Sequence, residues 1–303
     1  MGFCSTLVAY ITLMRPYQWS KNCFIFAPAF FAFGSYPLTF IKPLIISFFG
    51  FSLVCSAIYI FNDILDRESD KLHPSKKFRP IASALISPYK AGIFSIFLMG
   101  GGLIMLYVCL SSLSPKPNFS LFIPVCFYIC LNFVYSTLFK HFAIIDIFCI
   151  AIGFVLRLFI GSIVINIALS EWIVIVTFLL ALFLALAKRR DDVIILEKSG
   201  TKMRKNIDGY NRTFLDIGMS ISASLVMISY IFYTIDESVQ ERFHTDKLYF
   251  TSIFVLLGIF RYMQITFVEE QSSSPSKILL KDRFLQCAIL GYICSFVVII
   301  ILK

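Results

Sequence analysis

Apolar runs long enough to cross a bilayer recur along almost the whole chain, and this limits the possible folds more than any other feature. A hydrocarbon core about 30 Å thick takes roughly 20 residues of helix. Inside lipid every backbone N–H and C=O must be paired within the protein, which leaves helices as the simplest spanning element. Nine such runs are read, over 22–40, 43–64, 91–112, 119–138, 142–165, 170–187, 214–235, 248–268 and 284–302. The first carries Pro28 and Pro37 and is the least regular; residues 3–14 read as a short helix at the interface. Hydrophobic residues make up 58% of the chain and the mean hydropathy is +0.84, whereas soluble domains are about 45–50% apolar. The fold class is therefore all-α, a polytopic membrane protein with nine transmembrane helices in a single domain over 1–303. No linker or composition shift marks a second domain.

The net charge of +9 does not point to nucleic acid, because the cations follow the topology. With the N-terminus inside, 20 Lys and Arg fall in cytoplasmic segments and 5 outside, while Arg157 and Arg261 lie within spans. Such a bias orients the chain with its N-terminus in the cytoplasm and predicts a plasma (inner) membrane protein. Two cytoplasmic loops are long, about 65–90 and 188–213. The nine cysteines contain no Cys-x-x-Cys pair and mostly sit in apolar spans, where they read as small hydrophobes. The three histidines are scattered and form no zinc motif. Phe3 to Met14 precedes its basic residues and lacks a small-residue cleavage site, so it does not read as a signal peptide.

The chemistry gathers where the second span meets the first long loop. Asn62, Asp63, Asp66 and Asp70, placed on a helix at about 100° per residue, fall within an arc of roughly 100°. Four oxygen-bearing side chains on one stripe at a membrane surface suit Mg²⁺, a hard cation usually completed by substrate phosphates. Polar groups at such a depth are costly unless they have a function. Lys71, Lys76, Lys77 and Arg79 follow at once, and cations there complement a metal-bound diphosphate. Lys76 and Lys77 read equally well as positive-inside charge; Arg79, fixed between Phe78 and Pro80, reads as a ligand. The second long loop opens Lys188-Arg189-Arg190-Asp191-Asp192, fit to clamp a phosphate together with a second metal or a sugar hydroxyl. Arg157, inside the fifth span, needs either an ion pair, for which Asp146 lies three turns earlier, or a phosphate. Trp19, Lys21, Asn22, Tyr135, Ser136 and Lys140 add polar groups on the same side.

Taken together these motifs resemble the UbiA prenyltransferase superfamily, and within it the decaprenyl-phosphate phosphoribosyltransferase branch. The resemblance rests on Arg15-Pro16-Tyr17-Gln18-Trp19-Ser20-Lys21-Asn22, Asn62 to Asp70, His73-Pro74-x-Lys76-x-x-Arg79-Pro80, Tyr135 to Lys140, Gly153-Phe154-x-x-Arg157, Lys188-Arg189-Arg190 and Asp282-Arg283-x-Leu285-Gln286. It runs from residue 15 to 286. Aromatic-acceptor prenyltransferases carry a second acid motif, Asp-x-x-x-Asp, where this chain has Lys188-Arg189-Arg190-Asp191-Asp192; a second metal is correspondingly doubtful.

The resemblance implies a UbiA-like transmembrane domain that transfers 5-phosphoribose from phosphoribosyl diphosphate to a deca- or undecaprenyl phosphate and releases diphosphate. The alternative is a Mg-dependent transfer of a polyprenyl group from its diphosphate to an aromatic acceptor. On the first reading Asn62, Asp63, Asp66 and Asp70 hold Mg²⁺, and Asp63, Asp66, Asp70, Arg157 and Lys188 are the catalytic residues. Lys21, Asn22, Lys76, Lys77, Arg79, Tyr135, Lys140 and Arg189 bind substrate, from an active site facing the cytoplasm. The partners are the two substrates and the lipid bilayer, with no nucleic acid; a homo-oligomer stays open. A CDP-alcohol transferase lacks support because its Asp-Gly-x-x-Ala-Arg element is absent. A transporter would carry polar groups along several spans rather than at one surface.

Overall fold

The computed structural model describes residues 3–33, 37–72, 76–113, 119–200, 202, 204, 206–270 and 275–302, and among these there is no strand. After a short helix α1 (Phe3–Met14), eight helical segments are long and apolar enough to cross a membrane. They are α2 (Ile41–Leu65), α3 (Pro88–Ser111), α4 (Phe119–Thr137, opening on a 3-10 turn), α5 (Ile145–Ile165), α6 (Glu171–Ser199), α7 (Arg212–Ile235), α8 (Lys247–Phe267, also with a 3-10 start) and α9 (Arg283–Ile301). The protein is an integral membrane protein. Ile93, Ile96, Phe97 and Ile104 stand exposed along α3, a contiguous apolar face that suits lipid and not water.

The chain divides into two compact units, Met1–Phe139 with Leu156–Ala168, and Lys140–Val155 with Leu169–Lys303. In the first, α2 packs along α3 through Ala57 and Ile60 against Ala91 and Leu98, and α1 adds Ala9 and Leu13 to the same core. Tyr10 meets Phe94 edge-on at 4.9 Å. Ser56 near the end of α2 ties down α1 by donating to the Met14 carbonyl at 2.8 Å. In the second unit, Phe183, Leu186 and Ala187 of α6 pack with Met219 and Val226 of α7, Ile259 and Tyr262 of α8 and Leu285 of α9.

Three local features depart from the sequence reading. The stretch 22–40 is not one regular α-helix: a 3-10 segment Pro16–Phe26 is followed by the single turn Ala27–Phe30, so it is not among the eight helices of the described residues that are long and apolar enough to cross a membrane. Pro28 sits in the first turn of Ala27–Phe30, where its missing N–H costs nothing. Pro37 offers its carbonyl to Phe40 N at 3.1 Å and so opens a new turn. A second difference concerns 188–199, expected as loop: α6 runs on through these residues to Ser199. Lys, Arg, Glu and Leu are good helix formers, and the helix stops only at Gly200, whose φ of 65° gives the left-handed cap. Lastly, α2 ends at Leu65, with Asp66 outside the helix at φ −88° and ψ 3°, before a short helix Arg67–Leu72. Bonds from Asp66 N to Asn62 O (2.9 Å) and from Asp70 N to Asp66 O (2.8 Å) bridge this break. Asn62, Asp66 and Asp70 thus keep their helical stagger across it.

Candidate active site

In the first unit the end of α2 delivers Asp63 into a buried cluster of opposite charges. Asp63 and Asp70 are each 3% exposed. One nitrogen of Arg79 reaches both, 2.9 Å from Asp63 Oδ1 and 2.6 Å from Asp70 Oδ2. Arg15 donates to that same Asp63 oxygen and lies over the Tyr59 ring at 5.4 Å. Arg15 sits at the junction between α1 and the Pro16–Phe26 segment with φ 52°, the left-handed region, a costly conformation for a non-glycine residue. The turn is held by Arg15 N to Thr12 O at 3.2 Å and Gln18 N to Arg15 O at 2.8 Å. The strained turn is what aims the guanidinium at Asp63.

Among the described residues no three His, Cys, Asp or Glu side chains are gathered closely enough to hold a metal ion. Asp63 and Asp70 nevertheless present one oxygen each to a single cationic atom. The side-chain carbonyl oxygen of Asn62, next to Asp63 in the chain, is buried with no hydrogen-bond partner among the described residues. Buried polar atoms without a partner are rare and call for an explanation such as an ion. Hard oxygen donors around one cation position fit Mg²⁺. Lys76 and Lys77 lie on a 3-10 turn, Lys77 exposed and over the Phe78 ring at 5.2 Å. His73 and Pro74 fall outside the described residues.

Deeper in the same unit Arg157 and Asn22 form a second polar group. Arg157 Nε donates to Asn22 Oδ1 at 2.8 Å, and another of its nitrogens donates to Tyr128 Oη at 3.1 Å. The guanidinium also lies 4.9 Å from the centre of the Tyr128 ring and 5.5 Å from that of Phe51. Asn22 in turn donates to Ser52 Oγ at 2.9 Å. Both Asn22 and Arg157 are buried. The close approach that brings Asn22 here is made by Gly161 on α5: a Cβ on it would lie 2.0 Å from the Ile25 carbonyl oxygen. Nearby, Trp19 donates from its indole to Ser56 Oγ at 3.0 Å. Lys21 and Tyr135 are both half-buried.

In the second unit, Arg189 and Arg190 are essentially without solvent exposure. Arg189 Nε donates to Asp146 Oδ2 at 2.7 Å, and a second nitrogen approaches Asp192 at 3.4 Å. Asp146 accepts its other bond from the Tyr210 hydroxyl at 2.5 Å. Burial, with the Asp146 carboxylate beside it, holds the Tyr210 phenol well above its ordinary range. The hydroxyl oxygen also accepts from Ile144 N at 2.7 Å. Arg190 bonds Asp216 at 2.6 Å and the Thr266 carbonyl at 2.7 Å. Arg204 bonds Asp192 at 2.9 Å. Lys188 and Lys140 are half-buried. Asp146 thus partners Arg189 rather than Arg157. The remaining Arg189 nitrogen is buried with no hydrogen-bond partner among the described residues.

The structure therefore brings together Asp63, Asp70 and Arg79 in one cluster and Asn22 with Arg157 in another. Sequence reasoning missed Arg15 as a partner of Asp63, Tyr128 as a partner of Arg157, and Tyr210 as a partner of Asp146. For Arg15 a signal was present, a cation at the junction of an apolar helix and a proline. A tyrosine among 14, in an apolar span, carries no comparable mark.

A model of the UbiA prenyltransferase family matches residues 23–288. The chain is 31% identical to a decaprenyl-phosphate phosphoribosyltransferase of Corynebacterium glutamicum, covering 95% of this chain and 85% of the relative. It is 29% identical to the decaprenyl-phosphate phosphoribosyltransferase of Mycolicibacterium smegmatis, covering 93% and 89%. Among solved structures it is similar to a UbiA homolog from Archaeoglobus fulgidus bound to DMAPP and Mg²⁺, with a TM-score of 0.69 and 20% identity over 97% of this chain and 99% of that one.

Proposed function

Because the chain belongs to the UbiA prenyltransferase family, a family of membrane transferases, we propose that it transfers 5-phosphoribose from phosphoribosyl diphosphate to a polyprenyl phosphate. The observation that carries this reading is the near full-length likeness to two decaprenyl-phosphate phosphoribosyltransferases. It is supported by Lys188-Arg189-Arg190 standing where a second acid motif would begin.

Asn62, Asp63, Asp66 and Asp70 are the residues that would hold Mg²⁺. When bound, the ion supplies charge neutralisation for the departing diphosphate. The protein's own residues do the rest. In the first unit Arg79, Lys76 and Lys77 bind the phosphates of phosphoribosyl diphosphate, and Arg15 keeps Asp63 in place. Lys21, Asn22 and Arg157 bind and orient phosphate oxygens, and Tyr135 contributes to substrate binding. In the second unit Lys188 and Lys140 supply cations, and Arg189 adds the one nitrogen its carboxylate partners leave open. In the reaction a lipid phosphate oxygen forms a bond to the ribose C1 as the C1–O bond to diphosphate breaks. Diphosphate leaves with the electron pair. A phosphate monoester has its second pKa near 6 and is mostly dianionic at about pH 7, so no side chain needs to act as a strong base. Catalysis is positioning and electrostatic stabilisation. The excess of cations in alternate loops supports a cytoplasmic N-terminus and a cytoplasmic site for this chemistry.

The test is incubation of the purified protein in detergent with Mg²⁺, labelled phosphoribosyl diphosphate and a mixture of polyprenyl phosphates. Label moving into the organic phase, and blocked by EDTA, is the expected result. No transfer, with activity instead on a prenyl diphosphate and an aromatic acceptor, would replace this reading with prenyl transfer.

A further inference from the structure

The acid cluster in the first unit holds its own cation. Asp63 and Asp70 face Arg79 and Arg15, two carboxylates against two guanidiniums, and a single Arg79 nitrogen touches both acids. That nitrogen stands where a cation shared by the two carboxylates would stand. We propose that Arg79 occupies the metal position of this site in the metal-free protein, and yields Asp63 and Asp70 only to a divalent cation that arrives with a diphosphate. The proposal rests on reading Asn62 to Asp70 as a metal–diphosphate site.

The reasoning is one of charge balance. A divalent ion alone would add two positive charges where Asp63 and Asp70 already face two guanidiniums, and would push a guanidinium away with nothing to receive it. A diphosphate changes both terms. Its negative charge offsets that of the ion, and its oxygens accept the displaced guanidinium in the paired geometry arginine favours. Arg79 is the residue built to move. Its side chain is 26% exposed and follows a short 3-10 turn, whereas that of Arg15 is 14% exposed and packed on the Tyr59 ring. The unpartnered Asn62 side-chain oxygen gives the incoming ion a further donor that Arg79 does not use. The consequence is ordered binding: metal and diphosphate each raise the affinity for the other, a reciprocal coupling.

Full-length protein in detergent is titrated with Mn²⁺, read by loss of the free-ion electron paramagnetic resonance signal, and retention of labelled inorganic pyrophosphate is measured in parallel. Wild-type protein should bind Mn²⁺ alone weakly, and retain pyrophosphate once Mn²⁺ is present. Arg79→Gln should tighten binding of Mn²⁺ alone by at least about tenfold, since one facing positive charge is gone, and should lose pyrophosphate retention. Arg79→Lys keeps the charge and should stay near wild type for Mn²⁺ alone. Thermal melting checks that each variant is folded. If Arg79→Gln binds Mn²⁺ no more tightly than wild type, the proposal is wrong. It is equally wrong if wild type binds Mn²⁺ alone as tightly as it does with pyrophosphate, an outcome that needs no variant. Pyrophosphate carries neither ribose nor prenyl group. Absence of phosphoribosyl transfer with this binding pattern intact would therefore remove only the proposed function.

Discussion

Replacing Asp146 by Asn tests whether Arg189 is held by a counter-ion inside the second unit. Asp146 has no solvent exposure, and its partner Arg189 has none either. At their 2.7 Å separation, two unit charges at an effective dielectric of about 20 attract by roughly 6 kcal/mol, a ceiling since both charges are spread over several atoms. Removing one member of a buried pair typically costs about 3–5 kcal/mol, because the other charge is left unmatched. Here Arg189 retains Asp192 at 3.4 Å, and an Asn can still accept the Tyr210 hydroxyl bond, so the lower end, about 3 kcal/mol, is expected. At roughly 2–4 °C per kcal/mol for a large chain, the melting temperature should fall by about 6–12 °C. The assay is thermal unfolding in detergent followed by intrinsic fluorescence, on Asp146→Asn, Arg189→Met and the double variant. Exchanging both charges for neutral groups is often close to neutral, so the double variant should melt above Asp146→Asn. A melting temperature of Asp146→Asn within a degree of wild type would refute the pairing argument. A double variant whose loss equals the sum of the two singles would refute it as well, because independent sites add.

Three further outcomes follow from other parts of the structure. Asp66→Asn should abolish phosphoribosyl transfer while leaving the melting temperature within a degree or so of wild type, read by the organic-phase assay and thermal unfolding; normal turnover would remove the metal-site reading. Gly161→Ala should destabilise by at least about 1–3 kcal/mol, because its Cβ would sit 2.0 Å from the Ile25 carbonyl oxygen; an unchanged melting temperature would show that the Pro16–Phe26 segment is not held this closely. Asp282 caps α9 by accepting from Leu285 N at 2.8 Å, and its hydrogen bond to Arg261 holds its carboxyl below the ordinary value of 3.8. Asp282→Ala should cost about 1 kcal/mol at neutral pH. A depressed carboxyl stabilises fully above its unfolded value and loses that contribution as pH falls through the lower folded one, so the gap to wild type should close on acidification below about pH 4.

The spans were legible because lipid imposes a length and a composition that can be read residue by residue. The acid motif was legible for a related reason: Asn62, Asp63, Asp66 and Asp70 recur at helical spacing, and backbone bonds carry that spacing across the break at Asp66. The helix end at Gly200 was missed because charge was equated with loop. The residues 188–199 contain nothing that stops a helix, and Arg189 and Asp192 even pair at i and i+3. The segment 22–40 was read as one helix, and it is less regular than that. Its hydropathy qualifies it as a span, while Pro28 and Pro37 divide its hydrogen bonding.

What the sequence concealed was the partner of each buried charge. Arg157 and Asp146 share a helix, and three turns of separation made them look like a pair. On a helix, however, side chains 11 residues apart lie roughly 16 Å apart along the axis, too far for an ion pair. Each is instead answered from another part of its own unit, Arg157 by Asn22 and Tyr128, and Asp146 by Arg189 and Tyr210. The same logic applies at the acid motif. Four donors on one stripe suggest a metal, but the stripe does not say what balances it in the metal's absence. Arg15, 48 residues before Asp63, and Arg79, 16 after it, do so. On the proposed exchange, a site whose acids are neutralised by the protein's own arginines would discriminate against a bare ion and accept one only with an anion that takes the arginine. Selectivity for a charged substrate would then lie as much in the cations around the acids as in the acids themselves.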